Sequence, residues 1–377
     1  MEQAVQISQA EPVVSTGAVI AFRLFDIAYA IDLTKVEAVW AARARTASRG
    51  RLTTTPPKAV AFDVPPVSLA LDPVTLTLDG SAVQAEVAAR LYDFGAMSIA
   101  LRVPARDLPW SGFVAQMNAV YRSVGPDQTG PWEDLLRQLR AWLAPALIRP
   151  TSPALQEDYE IGVVHAFDQE MTAARLLETV DLVPLLSGER RRLSDGARND
   201  LLRQRFSYYT DDLVVLTWDR AFIYEPRGDS DVIDVLEVAN AQLLEMRYYD
   251  ELLDAELPQM YDLVAAERSK IAPLAARRFA NLARRFQTLV AEATELTEKV
   301  DNALQVTEDV YLARVYAAAL DLFRVSTVSA AVDRKLAIIR DIYSALYDEA
   351  SGARSELLEV LIVLLIVVEI ALAIIRP

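Results

Sequence analysis

The sequence predicts an α+β protein: a duplicated ferredoxin-like α/β head, then a long helical coiled-coil or bundle stalk, and one C-terminal transmembrane helix. Three observations lead to this order. Strand-like and helix-like segments alternate in the first part of the chain, heptad-spaced apolar residues follow, and an apolar run comes last. The predicted segments are a flexible tail, a first α/β unit, a linker helix, a second α/β unit, the helical region and the anchor: 1–17, 18–125, 126–152, 153–228, 229–350 and 351–377.

The head is predicted from two segments with similar patterns. In the first, strand formers at 18–33 precede a helix-like stretch at 35–40, and a hairpin around Asp93-Phe-Gly95 precedes a helix at 113–124. In the second, strand-like residues at 161–168 and 208–218 flank a helix-like stretch at 173–180. The similarity predicts two β-α-β-β-α units.

A stalk is predicted between Pro273 and Leu304, where apolar residues recur at alternating spacings of three and four, the pattern of a coiled-coil seam. These seams can pack within one chain as an antiparallel bundle, which short connections favour, or between chains, which would give a homo-oligomer. An amphipathic helix, expected from about Val232 to Ala266 with a bend at Pro258, precedes the stalk. The seam residues are Phe279, Leu282, Phe286, Leu289, Leu296 and Val300.

The run from Leu357 to Ile375 is long enough, at ~1.5 Å per helical residue, to cross a hydrocarbon core of ~30 Å. Basic residues, Arg354 among them, precede the run, so the head is expected to be cytoplasmic on a single-pass, tail-anchored membrane protein. Glu359 lies near the entry interface. Glu369 lies deeper, which predicts self-association in the bilayer, snorkelling to the far interface, or an ion path.

Composition excludes several chemistries. The chain has no cysteine and one histidine, so thiolate nucleophiles, zinc–thiolate sites and imidazole-rich metal sites are excluded. His165 lies in a strand-like apolar run, which favours a packed side chain over a catalytic one. No glycine-rich phosphate loop is present, and Asp211, Asp212 and Asp219 are interpreted as turn carboxylates rather than a metal or acid–base site. No cofactor is predicted.

One segment stands out in a chain whose net charge is −15. Residues 41–59 contain several basic residues and no acidic one. The segment could bind an anionic partner, such as RNA or lipid headgroups, or could be a solvated loop without a partner. The candidate residues for anion binding are Arg43, Arg45, Arg49 and Arg51.

Two stretches carry a family resemblance. Residues 354–369, with glutamates ten residues apart in an apolar run, and the strand-like residues 207–216 resemble the required-for-meiotic-nuclear-division family, domain-of-unknown-function family 155. The chain departs from that family at 231–238, where an acidic and aromatic segment is expected. The resemblance implies a membrane-tethered, oligomeric, non-enzymatic protein; mitochondrial members support organelle translation, an activity that does not carry over to this chain.

The leading functional hypothesis is a membrane-tethered, non-enzymatic structural or interaction protein. It would self-associate through the stalk and anchor in the lipid bilayer, and would present the head to a cytoplasmic protein partner. The alternative is a nucleic-acid or ribosome tethering module that uses the basic loop at 41–59. A third hypothesis is an enzyme that uses carboxylates in the head, which a deep pocket lined by carboxylates would support.

Overall fold

A computed structural model of the chain describes residues 11–43, 47–49, 64–152, 155–228, 231–268 and 310–342, together with isolated positions from 284 to 366. The chain divides into two compact units. The first comprises Met1–Glu245 and Val300–Val325, and the second comprises Met246–Lys299 and Ser326–Pro377.

A nine-stranded mixed sheet forms the centre of the first unit, in the order β3-β4-β5-β6-β1-β8-β11-β10-β9. Strands β11 and β8 are parallel, and every other neighbouring pair is antiparallel. The strands are β1 (Val13–Asp26), β3 (Ala47–Arg49), β4 (Val67–Leu78), β5 (Ser81–Leu91), β6 (Ala96–Pro109), β8 (Gln156–Phe167), β9 (Gln204–Phe206), β10 (Leu213–Leu216) and β11 (Arg220–Tyr224). Two further strands, β2 (Ala28–Ile31) and β7 (Leu147–Pro150), form a separate two-stranded sheet.

Strand β1 is the central strand of the large sheet. It pairs with β6 from Val13–Pro109 to Asp26–Ala96, and with β8 from Val14–Phe167 to Phe25–Gln156. Its residues from Ala18 to Asp26 are all buried, because helices cover both faces of the sheet. A continuous apolar run, rather than a strict alternation, is what a strand buried on both faces requires.

Helix α2 (Trp110–Val124) covers one face of the sheet. Gly162 of β8 permits this packing, because a Cβ at that position would lie 3.0 Å from the Met117 sulfur. Helix α7 (Val232–Arg268) contacts β5 through Arg90, which pairs with Asp234 and Glu237. Across the sheet, Gly162 lies beside Val19 of β1, and Arg90 lies beside Ser98, which in turn lies beside Leu24 of β1. Val19 and Leu24 are an odd number of residues apart, so their side chains point to opposite faces, and α2 and α7 therefore cover opposite faces of the sheet.

The first unit contains further helices. Asp32 caps α1 (Leu33–Ala42), because its carboxylate accepts a hydrogen bond from the Lys35 amide at 3.0 Å. Phe323 follows the helix Val310–Leu322, and its ring contacts Tyr159 edge-on at 5.3 Å. The other helices are α3 (Gly130–Leu143), α4 (Ala173–Thr179), α5 (Val183–Ser187) and α6 (Asp195–Leu201).

In the second unit, one lysine links side chains from two segments distant in sequence. The Lys335 ammonium lies 2.6 Å from carboxylate oxygens of both Asp250 and Asp254, one helical turn apart. Leu253 and Ile339 are fully buried in the same unit. The two carboxylates raise the pKa of Lys335 above its ordinary value despite partial burial, so the lysine stays charged.

The fold class predicted from the sequence is wrong. The two predicted ferredoxin-like units are one sheet, because β1 from the first and β8 from the second are direct neighbours. Strand patterns reveal where strands occur but not which strands pair, and similar segments therefore suggested a duplication. No long coiled-coil stalk is evident among the described residues. The seam residues Phe279, Leu282, Phe286, Leu289, Leu296 and Val300 lie outside the described residues.

The predicted single transmembrane helix is likewise not found. Among the described residues, no one helix has both the length and the hydropathy of a membrane span. The helices Val310–Leu322 and Val325–Ile342 reach those limits only when they are joined across a bend. The anchor residues Arg354, Glu359 and Glu369 lie outside the described residues. An apolar run satisfies the length requirement of a span without specifying one continuous helix.

Two glycines separate the cost of backbone conformation from that of a steric clash. Gly95, in the β5–β6 turn, has φ +108°, and a Cβ there would lie 1.9 Å from the Ala28 carbonyl oxygen. Gly80, in the β4–β5 turn, has φ +87° and no atom near its Cβ position.

Gly80→Ala should lower the free energy of unfolding by about 1–2 kcal/mol, the cost of positive φ. Gly95→Ala should lower it considerably further, as urea unfolding would measure. Equal losses would contradict the close approach of Ala28.

Candidate functional site

The loop between β9 and β10 exposes two adjacent tyrosines in a fixed conformation. The Asp212 carboxylate accepts hydrogen bonds from the backbone amides of Tyr208, at 2.7 Å, and Tyr209, at 3.1 Å. An aspartate that binds preceding amides in this way holds a loop without regular secondary structure. The side chains remain open to solvent, with Tyr208 63% and Tyr209 47% exposed.

The two tyrosines belong to a larger group of aromatic and arginine side chains in contact. The ring of Tyr208 lies 4.8 Å from that of Tyr209 and 5.5 Å from that of Tyr311, and the Arg227 guanidinium lies 4.2 Å above Tyr209. A second arginine, Arg314, lies 5.8 Å from the ring of Phe206. We call this group the tyrosine surface: Phe206, Tyr208, Tyr209, Arg227, Tyr311 and Arg314.

The composition of the tyrosine surface is that of a binding site rather than of ordinary protein surface. Tyrosine and arginine are among the residues that contribute most to binding energy at protein interfaces. A tyrosine ring provides a large apolar area with few rotatable bonds, so little conformational entropy is lost on binding. Ring contacts of Tyr208 with both Tyr209 and Tyr311 restrict it further before any partner is bound.

A second candidate is a group of charged residues on the α2 face of the sheet. Glu160 of β8 is buried 3.3 Å from the Arg220 Nε atom, and Arg220 also stacks 4.3 Å from the Tyr121 ring. The Glu160–Arg220 contact lacks hydrogen-bond geometry, and neither carboxylate oxygen of Glu160 accepts a hydrogen bond from a described residue. Burial raises the pKa of Glu160 to about 8, despite attraction by Arg220; Asp219 and Asp158 raise it further by repulsion.

The space beside this group is too small for a substrate. The cavity has a volume of about 10 Å³ and is lined by Tyr121, Trp132, Asp158 and Glu160, among others. That volume accommodates about one water molecule. Among the described residues, no three His, Asp or Glu side chains are placed to hold a metal ion. The geometry therefore makes these residues an ionic part of the core.

Another pair of buried carboxylates lies on the α7 face. Asp26, at the end of β1, accepts a hydrogen bond from the Thr151 hydroxyl at 3.2 Å, and burial raises its pKa to about 6. Glu245 of α7 is buried, and its pKa is raised well above the ordinary value by burial first and by the Asp26 charge second. The Thr151 hydrogen bond and the positive charge of Arg140 both lower the pKa of Asp26, but burial has the larger effect.

Comparison with known proteins places the chain in a family. Residues 16–231, more than half of the chain, match the family described as "Uncharacterized protein MJ0711, N-terminal domain". The chain belongs to this family. The matched range contains eight of the nine strands of the large sheet in full, most of β1, and the Tyr208–Tyr209 loop.

The archaeal protein that gives the MJ0711 family its name, from Methanocaldococcus jannaschii, is 28% identical to this chain over 193 residues. The matched segment covers 51% of this chain and 58% of that protein, so the chain spans less than two thirds of its relative. No solved structure matches the chain.

Membership of the MJ0711 family corrects the resemblance inferred from the sequence. Assignment to the required-for-meiotic-nuclear-division family is wrong, because the comparisons connect the chain to the MJ0711 family and to nothing in that other family. The resemblance depended on two glutamates in an apolar run at 354–369, where any apolar helix supplies most of the match. The tail-anchored description is wrong as well, since no long apolar helix is found in the described part of the chain.

Only part of the predicted anion-binding loop is described for this member of the MJ0711 family. Arg43 follows α1, and its guanidinium lies 4.8 Å from the Trp142 ring. Arg49 ends strand β3, where it registers with Val67. Arg45 and Arg51 lie outside the described residues. The structure therefore does not bring the four arginines together as a described site.

Of the three aspartates considered in the sequence, the structure places Asp211 and Asp212 together before β10 and Asp219 after it. Asp212 stabilises the tyrosine loop before β10, whereas Asp219 accepts a hydrogen bond from the Thr217 hydroxyl after β10. His165 is half-buried on β8, and its Nδ1 atom lies 3.0 Å from the Glu225 carbonyl oxygen, to which it donates.

Sequence reasoning missed the tyrosine surface because it assigned residues 208–218 to one strand. The adjacent pair Tyr208-Tyr209 could have indicated an exposed tyrosine. Side chains of adjacent strand residues point to opposite faces, so a strand with one face open to solvent would have exposed one of the two rings.

The Asp26 carboxyl predicts a pH dependence of stability. A folded-state pKa of about 6, against an ordinary value near 3.8, means that its contribution is fully present below about pH 4 and is lost as the pH rises through 6. The loss is on the order of 3 kcal/mol. Asp26→Asn should therefore flatten the decline of unfolding free energy between pH 4 and 7. Asp134→Asn, at an exposed position, should leave it unchanged. A wild-type slope in Asp26→Asn would contradict this assignment.

Proposed function

We propose that the first unit is a non-enzymatic interaction module, and that its tyrosine surface binds an acidic segment of a partner protein. The observation that carries this proposal is the solvent-exposed, edge-to-face arrangement of Tyr208 and Tyr209 beside Arg227. An exposed aromatic cluster held in one conformation loses little entropy on binding and gains from burial of its rings.

The arginines favour an acidic partner. Within the described residues, neither Arg227 nor Arg314 donates a hydrogen bond or forms an ion pair, and each guanidinium lies against an aromatic ring. A guanidinium stacked on a ring keeps its N–H groups directed outward, where they can bind a carboxylate through two hydrogen bonds. Two such groups at one aromatic surface complement a segment that contains Asp or Glu.

Nucleic-acid binding is the second candidate, because exposed aromatic rings and arginines can also stack on bases. One observation favours the protein partner. Strand β3, which ends at Arg49, and strand β9, which precedes Tyr208, are opposite edges of the sheet, so the described strand of the basic segment does not adjoin the tyrosine surface. Homo-oligomerisation stays a prediction, which light scattering of the purified chain would test.

The test is site-specific photocrosslinking from the tyrosine surface. The full chain with p-benzoylphenylalanine at position 209 is irradiated in an extract of the source organism, and crosslinked peptides are identified by mass spectrometry. We expect a peptide rich in Asp or Glu. A synthetic copy should bind the wild-type chain in solution, with an affinity that falls as salt concentration rises. The double variant Tyr208→Ser, Tyr209→Ser should bind it at least about 30-fold more weakly, equivalent to about 2 kcal/mol.

The matched control is Tyr261→Ser, which removes another exposed tyrosine, in α7, outside the tyrosine surface. This variant should bind the peptide like the wild type. The proposal is wrong if the double variant retains the affinity of Tyr261→Ser. It is also wrong if the crosslinked material is RNA and disappears on ribonuclease treatment, since that outcome supports the nucleic-acid candidate.

A further inference from the structure

A cleft opens in the first unit where two neighbouring strands separate. Strands β5 and β6 pair only from Glu86–Arg102 to Leu91–Met97, although β5 begins at Ser81 and β6 continues to Pro109. Beyond Glu86, β5 pairs only with β4, and β6 pairs only with β1. Helix α2 lies beside the opening. The resulting cleft, far from the tyrosine loop in the strand order, has a volume of about 500 Å³.

The cleft wall is mainly apolar. Leu78 and Val83 line it from the β4–β5 hairpin, Leu108 lines it from β6, and Ala115 and Ala119 line it from α2. The two alanines leave space that larger side chains on α2 would occupy. A volume of this size lies within the ~300–1,000 Å³ range of small-molecule sites, and walls of this kind bind hydrocarbon by burial of apolar surface.

The polar groups of the lining differ in whether they have partners. Asp79 forms an ion pair with Arg122 at 2.8 Å, and the Gln116 side-chain amide donates to the Pro104 carbonyl oxygen at 3.0 Å. Arg106 makes no hydrogen bond or ion pair with any described residue. Four residues earlier on β6, Arg102 is paired with Glu86 at 3.3 Å. The charge left unpaired at the cleft is therefore a cation.

We propose that this cleft binds a small amphiphile that has an anionic head and a short apolar chain. The Arg106 guanidinium binds the head, and the chain lies along Leu78, Val83 and Leu108. A carboxylate or a phosphate monoester suits the head equally, because a guanidinium binds either through two parallel hydrogen bonds. The site is independent of the proposed protein interaction, since no residue of the tyrosine surface lines it.

The experiment is isothermal titration calorimetry of the full-length chain with three probes below their micellar concentrations: decanoate, decyl phosphate and decyltrimethylammonium. We expect one site per chain for at least one of the two anions and no binding of the cation. Comparison of decanoate with decyl phosphate distinguishes a carboxylate site from a phosphate site. Arg106→Gln should weaken binding of the preferred anion at least tenfold. Arg102→Gln, which removes the same charge from the same strand, should change it less than twofold.

A second variant tests the apolar wall. Ala115→Phe fills the cleft from α2 and should abolish binding of the preferred anion, while a thermal melt and the far-UV circular dichroism spectrum establish that the chain remains folded. Ala115→Leu serves if Ala115→Phe unfolds. The inference is overturned if the wild type binds neither anion, if the cation binds as well as the anions, or if Arg106→Gln and Arg102→Gln weaken binding equally.

Discussion

The double pairing of strand β1 is the interaction on which the rest of the structure depends. One ladder joins it to β6, and hence to β5, β4 and β3; the other joins it to β8, and hence to β11, β10 and β9. The cleft lies on the β6 side and the tyrosine surface on the β8 side. Any change that weakens β1 would therefore separate the two features as well as expose the apolar residues between α2 and α7.

Charged residues in the core constrain how the sheet and helices pack. Arg23 of β1 is fully buried, and its guanidinium donates to the Gly125 and Gln128 carbonyl oxygens at 2.8 Å, at the end of α2. On the other face, Arg90 fixes α7 through Asp234 and Glu237. Buried charged groups contribute little net stability even when they have partners. A misplaced helix, however, would leave these two arginines buried without their partners. They select one arrangement of helix on sheet.

Local structure was readable from the sequence to a large extent. The predicted helix near 35–40 is α1, the turn at Asp93-Phe-Gly95 connects β5 to β6, the predicted helix at 113–124 forms most of α2, and the helix from Val232 with an internal Pro258 is α7. Each depends on residues close in sequence. Pairing of β1 with β8 joins residues more than 130 positions apart, and the strand pattern holds no information about it. The tyrosine surface and the cleft could not be predicted for the same reason: Tyr208 meets Tyr311, and the cleft exists only because β5 and β6 separate.

Strand β9 comprises only three residues, Gln204–Phe206, and forms one edge of the nine-stranded sheet. The chain then leaves the sheet into the loop held by Asp212. So short an edge offers a foreign strand few backbone groups, and the bulky rings that follow obstruct extension along it. Another copy of the chain cannot readily continue the sheet from this side, which protects the protein against polymerisation through this edge and leaves side-chain chemistry as the means of contact there.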